Sequence, residues 1–111
     1  KDDDLFLILG SPGGSTIITS VFQTLLNVIL FDMDIQSAVD TPRFHHQWKP
    51  DYIYLERSNT FDSILQSLFE MGHTTKFRSS MGHVNAIMMN ENNVSTGADR
   101  RGDNYGKKTK K

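Results

Sequence analysis

The sequence predicts an α+β fold of the layered kind, with antiparallel hairpins covered by helices. Three observations predict it. A continuous apolar run, Leu5-Phe6-Leu7-Ile8-Leu9, ends at Gly10 and reads as a strand. After it Ile17, Ile18, Val21, Phe22, Leu25, Leu26 and Ile29 recur at steps of three and four, a helical stripe. Further on, residues 83–89 and 94–96 have strand character and flank the turn-forming Glu91-Asn92-Asn93. A length of 111 residues suits one modest domain.

Residues 5–9 form the first strand. The run is continuous rather than alternating, so burial on both faces is expected. Residues 15–31 form the longest helix, apolar over more than one face and therefore expected between layers. Asp34 is placed to cap a short helix through Asp40, which Thr41-Pro42 ends because the residue before proline avoids helical angles. Residues 42–50 are irregular and bounded by prolines. Residues 52–55 alternate and read as a strand. Thr60 is expected to cap a helix over 61–71, with Phe61, Ile64, Leu65, Leu68 and Phe69 buried and Gly72 closing it. Residues 74–77 form a short strand. In 83–89, Val84, Ala86 and Met88 share one face, Asn85 and Ile87 the other. Residues 1–103 make up the ordered portion. Residues 104–111 form a basic tail, expected to be disordered.

Composition narrows the function. The formal net charge is −1, which argues against an electrostatic nucleic-acid binder. Lys107, Lys108, Lys110 and Lys111 hide an acidic remainder of about −5. No cysteine is present, so thiolate nucleophiles, disulfides and cysteine-based zinc sites are excluded from these residues. No apolar run reaches transmembrane length. His45-His46 invites a metal reading. Adjacent residues of an extended chain point to opposite sides, however, and no carboxylate lies at a ligand-like spacing, so no metal site is expected. The chain opens on Lys1 with Asp2-Asp3-Asp4 leading straight into a strand, which reads as the second half of a hairpin and hence as a fragment.

One stretch carries chemistry. Strand 5–9, the turn Ser11-Pro12-Gly13-Gly14 and helix 15–31 put free backbone N–H groups at a helix N-terminus. Such groups attract negative charge, and in an enzyme they can stabilise an oxyanion. The same pattern also describes a plain sharp turn capped by Ser15 or Gly14. Neither the phosphate-loop nor the dinucleotide glycine pattern is met.

Gly10-Ser11-Pro12-Gly13-Gly14-Ser15 and Pro42-Arg43-Phe44-His45-His46-Gln47-Trp48 are joined by Asn27-Val28-Ile29 and the segment 33–41. The resemblance these residues carry is to the γ-glutamyltranspeptidases. Gly82-His83-Val84-Asn85-Ala86-Ile87 and Gly97-Ala98-Asp99-Arg100-Arg101 follow in the expected order, so it runs from about residue 5 to residue 101. It implies that residues 1–103 are the C-terminal portion of the small subunit of a precursor that cleaves itself into two subunits, and so part of a four-layer αββα sandwich of the N-terminal nucleophile hydrolase type, incomplete in this chain. It implies γ-glutamyl transfer or hydrolysis on glutathione-like amides through a threonyl acyl-enzyme. It places the oxyanion-hole N–H groups, which also bind substrate, at Gly13 and Gly14. Ser11 and Pro12 shape the turn, and Arg43 to Trp48 is scaffolding. It implies no cofactor and no metal.

The implied partners are the large subunit, the N-terminal half of the small subunit and a small γ-glutamyl substrate. The implied location is periplasmic, secreted or at the outer membrane face. Two departures stand out. The family's threonine nucleophile and its carboxylate-binding serine pair lie upstream of these residues, so the chain alone is expected to be inactive and to expose open strand edges. Arg100 occupies a position where the family commonly has proline. Alternatives are a related acylase acting on β-lactam side chains or poly-γ-glutamate, and a non-catalytic anion-binding or interaction domain.

Overall fold

Alternation along the first strand decides how its sheet is layered. The computed structural model describes residues 1–108. Its elements run β1 (Leu7–Gly10), α1 (Thr16–Ile29), α2 (Ile35–Asp40), β2 (Phe44–His45), β3 (Ile53–Glu56), α3 (Asn59–Asp62), α4 (Leu65–Glu70), β4 (Thr75–Arg78), β5 (Asn85–Asn90) and β6 (Asn93–Ala98). They fall into two compact units. One joins Lys1–Thr41 to the chain from Gly82 onward; the other is Pro42–Met81.

The first unit holds an antiparallel sheet of order β1-β5-β6. Leu7 faces Met88 and Leu9 faces Ala86 across the β1–β5 ladder. Asn90 pairs with Asn93, leaving Glu91-Asn92 as a two-residue turn. Leu7, Leu9, Ala86 and Met88 join a core built on Val28 of α1, Ile35, Ala38 and Val39 of α2, and Val84. Both helices therefore cover one face of the sheet. Ile8 points to the other face and is 49% exposed opposite Ile87. The expected burial of the first strand on both faces is thus corrected: the described residues cover one face, and strand periodicity of two sends every second residue to the other.

Helix α1 also departs from expectation. Its buried residues are Thr16, Ser20, Thr24 and Val28, a stripe at steps of four. Ile18, Phe22 and Ile29 are exposed, and no layer of described residues lies over them. Small hydroxyl side chains let the helix approach its neighbours closely. The Thr24 hydroxyl meets its own hydrogen-bonding need by donating to the Ser20 carbonyl at 2.9 Å. Helix α2 follows the sequence: the Asp34 carboxylate accepts the Ser37 N–H, and the helix ends at Thr41 before Pro42. Strand β6 passes close under α2. A Cβ at Gly97 would lie 2.9 Å from Val39 Cγ2 and 3.0 Å from the Ile35 carbonyl oxygen.

The second unit holds a sheet of order β2-β3-β4. Strand β2, within the segment expected to be irregular, pairs antiparallel with β3. Strands β3 and β4 are parallel, so hairpins do not account for this sheet. The helical stretch between them forms the crossover that a parallel pair needs. The helix expected over 61–71 is two pieces, α3 and α4, and Ser58 rather than Thr60 caps the first by accepting the Thr60 N–H. Because Ser63 and Ile64 interrupt it, the apolar stripe does not lie along one cylinder. Phe61 is buried, α4 buries no residue, and Phe69 is 72% exposed. Gly72 closes α4 at φ +89°, donating its N–H to the Phe69 carbonyl. The tail expectation falls partly on residues 109–111, outside the described residues; Lys108 Nζ donates to Asn93 Oδ1 at 3.2 Å.

Replacing Gly97 with alanine should lower stability by about 1–3 kcal/mol, because the new Cβ would press on the fully buried Val39 and on a backbone oxygen of α2. A lower urea midpoint at unchanged slope would report it. A second expectation concerns pH. The Ser37 hydroxyl and then the Ser37 N–H, both donating to Asp34, hold its carboxyl below the usual carboxylate range. A depressed folded pKa adds stability above the unfolded pKa and loses it as pH falls through the folded one. Asp34→Asn should therefore flatten the fall of melting temperature in that acidic window and leave the neutral plateau nearly unchanged, since asparagine also caps well.

Candidate functional site

Two glycines make the turn between β1 and α1. Gly13 lies at φ +133° and Gly14 at φ +58°, both outside the range that other residues adopt readily. The turn is tied from both sides. The Ser11 hydroxyl donates to the Pro12 carbonyl at 2.7 Å and accepts the His83 N–H at 2.8 Å. The Gly13 carbonyl accepts the Thr16 hydroxyl at 2.8 Å and the Thr16 N–H at 3.2 Å, and the Gly14 carbonyl accepts the Ile17 N–H. Among the described residues, the N–H groups of Gly13 and Gly14 have no acceptor. Both glycines are solvent-exposed. The site is thus a pair of adjacent peptide donors at the positive end of a 14-residue helix, free to receive a negatively charged oxygen.

Ser15 occupies the N-cap position, but its side chain makes no capping bond. The closure comes instead from Thr16, through the two bonds it makes to Gly13.

The wall behind the turn was missed in the sequence. Gly82 sits at φ +70°, and a Cβ there would strike Ser20 Oγ and lie 2.7 Å from Ser20 Cβ. The space that a Cβ would fill at Gly13 lies 3.6 Å from Gly82 Cα. The two glycine backbones therefore approach each other with no side chain between. Ser20 is buried, and its hydroxyl has no partner among the described residues. Gly102 lies so near the His83 ring that any Cβ there would strike the imidazole. The usable signal was a glycine directly before a strand, which marks a close backbone approach.

The paired histidines part company. His45 is buried, stacked on Tyr54 with ring centroids 6.5 Å apart, and its Nε2 is bonded to Gln47. His46 faces Asp51 at 2.9 Å near the surface. Among the described residues, no group of three His, Asp or Glu side chains is placed to hold a metal. Arg100 is exposed and pairs with Asp40 at 3.2 Å, outside the turn.

The family model described as Gamma-glutamyltranspeptidase matches residues 1–109. The chain belongs to the γ-glutamyltranspeptidase family. It is 38% identical over 98 residues to the glutathione hydrolase proenzyme of Escherichia coli, an alignment covering 88% of this chain and 17% of the relative. It superposes on the γ-glutamyltranspeptidase of Pseudomonas nitroreducens complexed with L-DON with a TM-score of 0.91 at 37% identity, covering 99% of this chain and 58% of that one. The T380A mutant of the Helicobacter pylori γ-glutamyltranspeptidase gives 0.87 at 39% identity, covering 92% and 57%. The likeness bears out the expected fold class: a mixed α and β portion of an N-terminal nucleophile hydrolase. The chain spans under a fifth of the E. coli relative's length. The E. coli and Pseudomonas aeruginosa relatives are named as proenzymes, and an acivicin-inhibited γ-glutamyltranspeptidase of similar structure undergoes autoprocessing. No helix among its described residues is long and apolar enough to cross a membrane.

Strain at the wall should be separable from the clash. Gly82→Ala should cost about 1–3 kcal/mol through its positive φ and the contact with Ser20. Adding Ser20→Gly should recover the part owed to the contact and none of the part owed to φ. A double-mutant cycle from denaturant midpoints measures the difference.

Proposed function

We propose that this chain forms part of a γ-glutamyltransferase or hydrolase and supplies its oxyanion hole through the N–H groups of Gly13 and Gly14. The observation that carries the reading is the glycine pair itself. Both residues have positive φ, both N–H groups lack an acceptor among the described residues, and both stand at the N-terminus of α1. In this reading a threonine elsewhere in the full-length protein is the nucleophile. Its hydroxyl oxygen bonds to the γ-carbonyl carbon, and the carbonyl oxygen takes up negative charge between the two N–H groups. The threonine's α-amine takes the hydroxyl proton and passes it to the leaving amine as the amide C–N bond breaks. Water or an acceptor amine then attacks the acyl ester and restores the threonine. Glutathione-like γ-glutamyl amides are the proposed donors, in keeping with the names of the curated relatives.

The remaining length of the precursor is the proposed partner. The exposed Ile18, Phe22, Ile29, Leu30 and Phe31 support this, because a run of large apolar side chains marks a surface that another part of a protein covers. The periplasm, the exterior or the outer membrane face is the proposed location.

In the full-length, processed enzyme, Gly13→Ala should lower kcat on a γ-glutamyl anilide by about 100-fold with KM changed by no more than about threefold. A Cβ at residue 13 would press on Thr16 Oγ1 at 2.7 Å and tilt the adjoining peptides. An unchanged kcat in folded, cleaved enzyme would refute the oxyanion role.

A further inference from the structure

We infer that the hydroxyls of Ser11 and Thr16 are positioning groups that aim and polarise the two N–H donors of the glycine pair. The inference rests on the oxyanion reading above. A trans peptide unit is planar, so its C=O and N–H point in opposite directions. The Gly13 N–H belongs to the unit whose carbonyl is that of Pro12. The Gly14 N–H belongs to the unit whose carbonyl is that of Gly13. Each of these two carbonyls is held by a nearby hydroxyl: Pro12 by Ser11 at 2.7 Å, and Gly13 by Thr16 at 2.8 Å. With the carbonyl ends tied, the N–H ends are aimed.

Glycine alone does not provide that aim. At φ +133° and +58° the pair sits where glycine is at ease, and the same freedom lets the peptide between them rotate. A rotation there would turn the Gly14 donor away from a reacting oxygen. The Thr16 N–H adds a second hold on the Gly13 carbonyl at 3.2 Å, and Thr16 itself is buried. Ser11 is anchored in turn, because its oxygen accepts the His83 N–H from 72 residues further along the chain. That leaves its single proton committed to Pro12. Each bond also strengthens the donor at the far end of its peptide, by roughly 10–30%. The help is therefore greatest for the oxygen with the most negative charge, which is the transition state's and not the substrate's.

The test uses the full-length, processed enzyme with Ser11→Ala, Thr16→Val and Thr16→Ser. The readouts are kcat and KM on a γ-glutamyl anilide and the inhibition constant of a tetrahedral γ-boronate analogue of glutamate. Ser11→Ala and Thr16→Val should each lower kcat about tenfold, with KM within about twofold and the boronate weakened by the same factor as kcat; misaiming a donor costs less than removing one. Thr16→Ser should restore both. A merely structural role would lower the melting temperature without coupling kcat to boronate affinity. The inference is overturned by kcat within about twofold in both variants, by KM and boronate affinity shifting together, or by Thr16→Ser behaving as Thr16→Val. If Ser11→Ala does not mature, the Thr16 pair decides alone. Gly13→Ala separates the two readings. If it leaves kcat unchanged, the oxyanion role fails; if it lowers kcat and the hydroxyl variants do not, only the positioning role fails.

Discussion

The buried carboxylate of Asp99 holds the first unit in shape. It accepts the Val84 N–H at 2.6 Å, the Arg101 N–H at 3.0 Å and the Arg101 guanidinium at 3.0 Å. A charge taken out of water costs several kcal/mol unless it is paired and hydrogen-bonded, and here it is both. The Arg101 guanidinium goes on to the Val39 and Thr41 carbonyls, closing the end of α2, where a cation is favoured. One ion pair thus joins the end of β6, the start of β5 and the last turn of α2. The glycine turn inherits this order. Asp99 fixes Val84, the neighbouring His83 gives its N–H to Ser11, and Ser11 holds the peptide that carries the Gly13 donor.

The second unit uses the same device on its own account. Glu56 is buried and accepts the Arg43 N–H at 2.8 Å and the Met81 N–H at 2.7 Å, while the Arg43 guanidinium donates to the Met81 carbonyl. Residues near the two ends of this unit are therefore fastened to one carboxylate on β3. A four-residue strand with exposed neighbours could not hold those ends by apolar burial alone, and α4 contributes no buried side chain. Hydrogen bonds to a buried charge are about twice as strong as neutral ones, which compensates for the thin core.

Much of this was legible in the sequence, for local reasons. The strand–turn–helix around Gly13 and Gly14, the Asp34 cap, the Pro42 stop, the Gly72 close and the β5 alternation each depend on residues within a few positions of one another. What was not legible depended on distant partners. The parallel pairing of β3 with β4 is a choice between strands separated by two short helices. Ser58 displaced Thr60 as the cap because the chain enters α3 two residues earlier than the apolar pattern marks. At the site, the glycine pair could be named from its motif. Gly82 could not be given a role, because its partner Ser20 is 62 residues away and the contact is one of backbone against a small side chain.

Helix α1 shows why apolar side chains on more than one face do not mark the side that meets the sheet. The moment of a helix marks where its greasy side chains lie, not which side comes nearest to its own sheet. Here Ser20 passes Gly82 at backbone distance, where only a small residue fits, and Thr16 and Thr24 share its buried side. Each of these hydroxyls carries a polar cost that an alanine would not. Thr24 offsets it by bonding within the helix and Thr16 by bonding to the turn. The larger residues were thereby left on the far side, where Ile18 is 78% exposed. A helix so arranged is two-faced. Close packing of its small side sets the position of the glycine turn, and its apolar side is left as exposed area of the kind that another part of a protein covers.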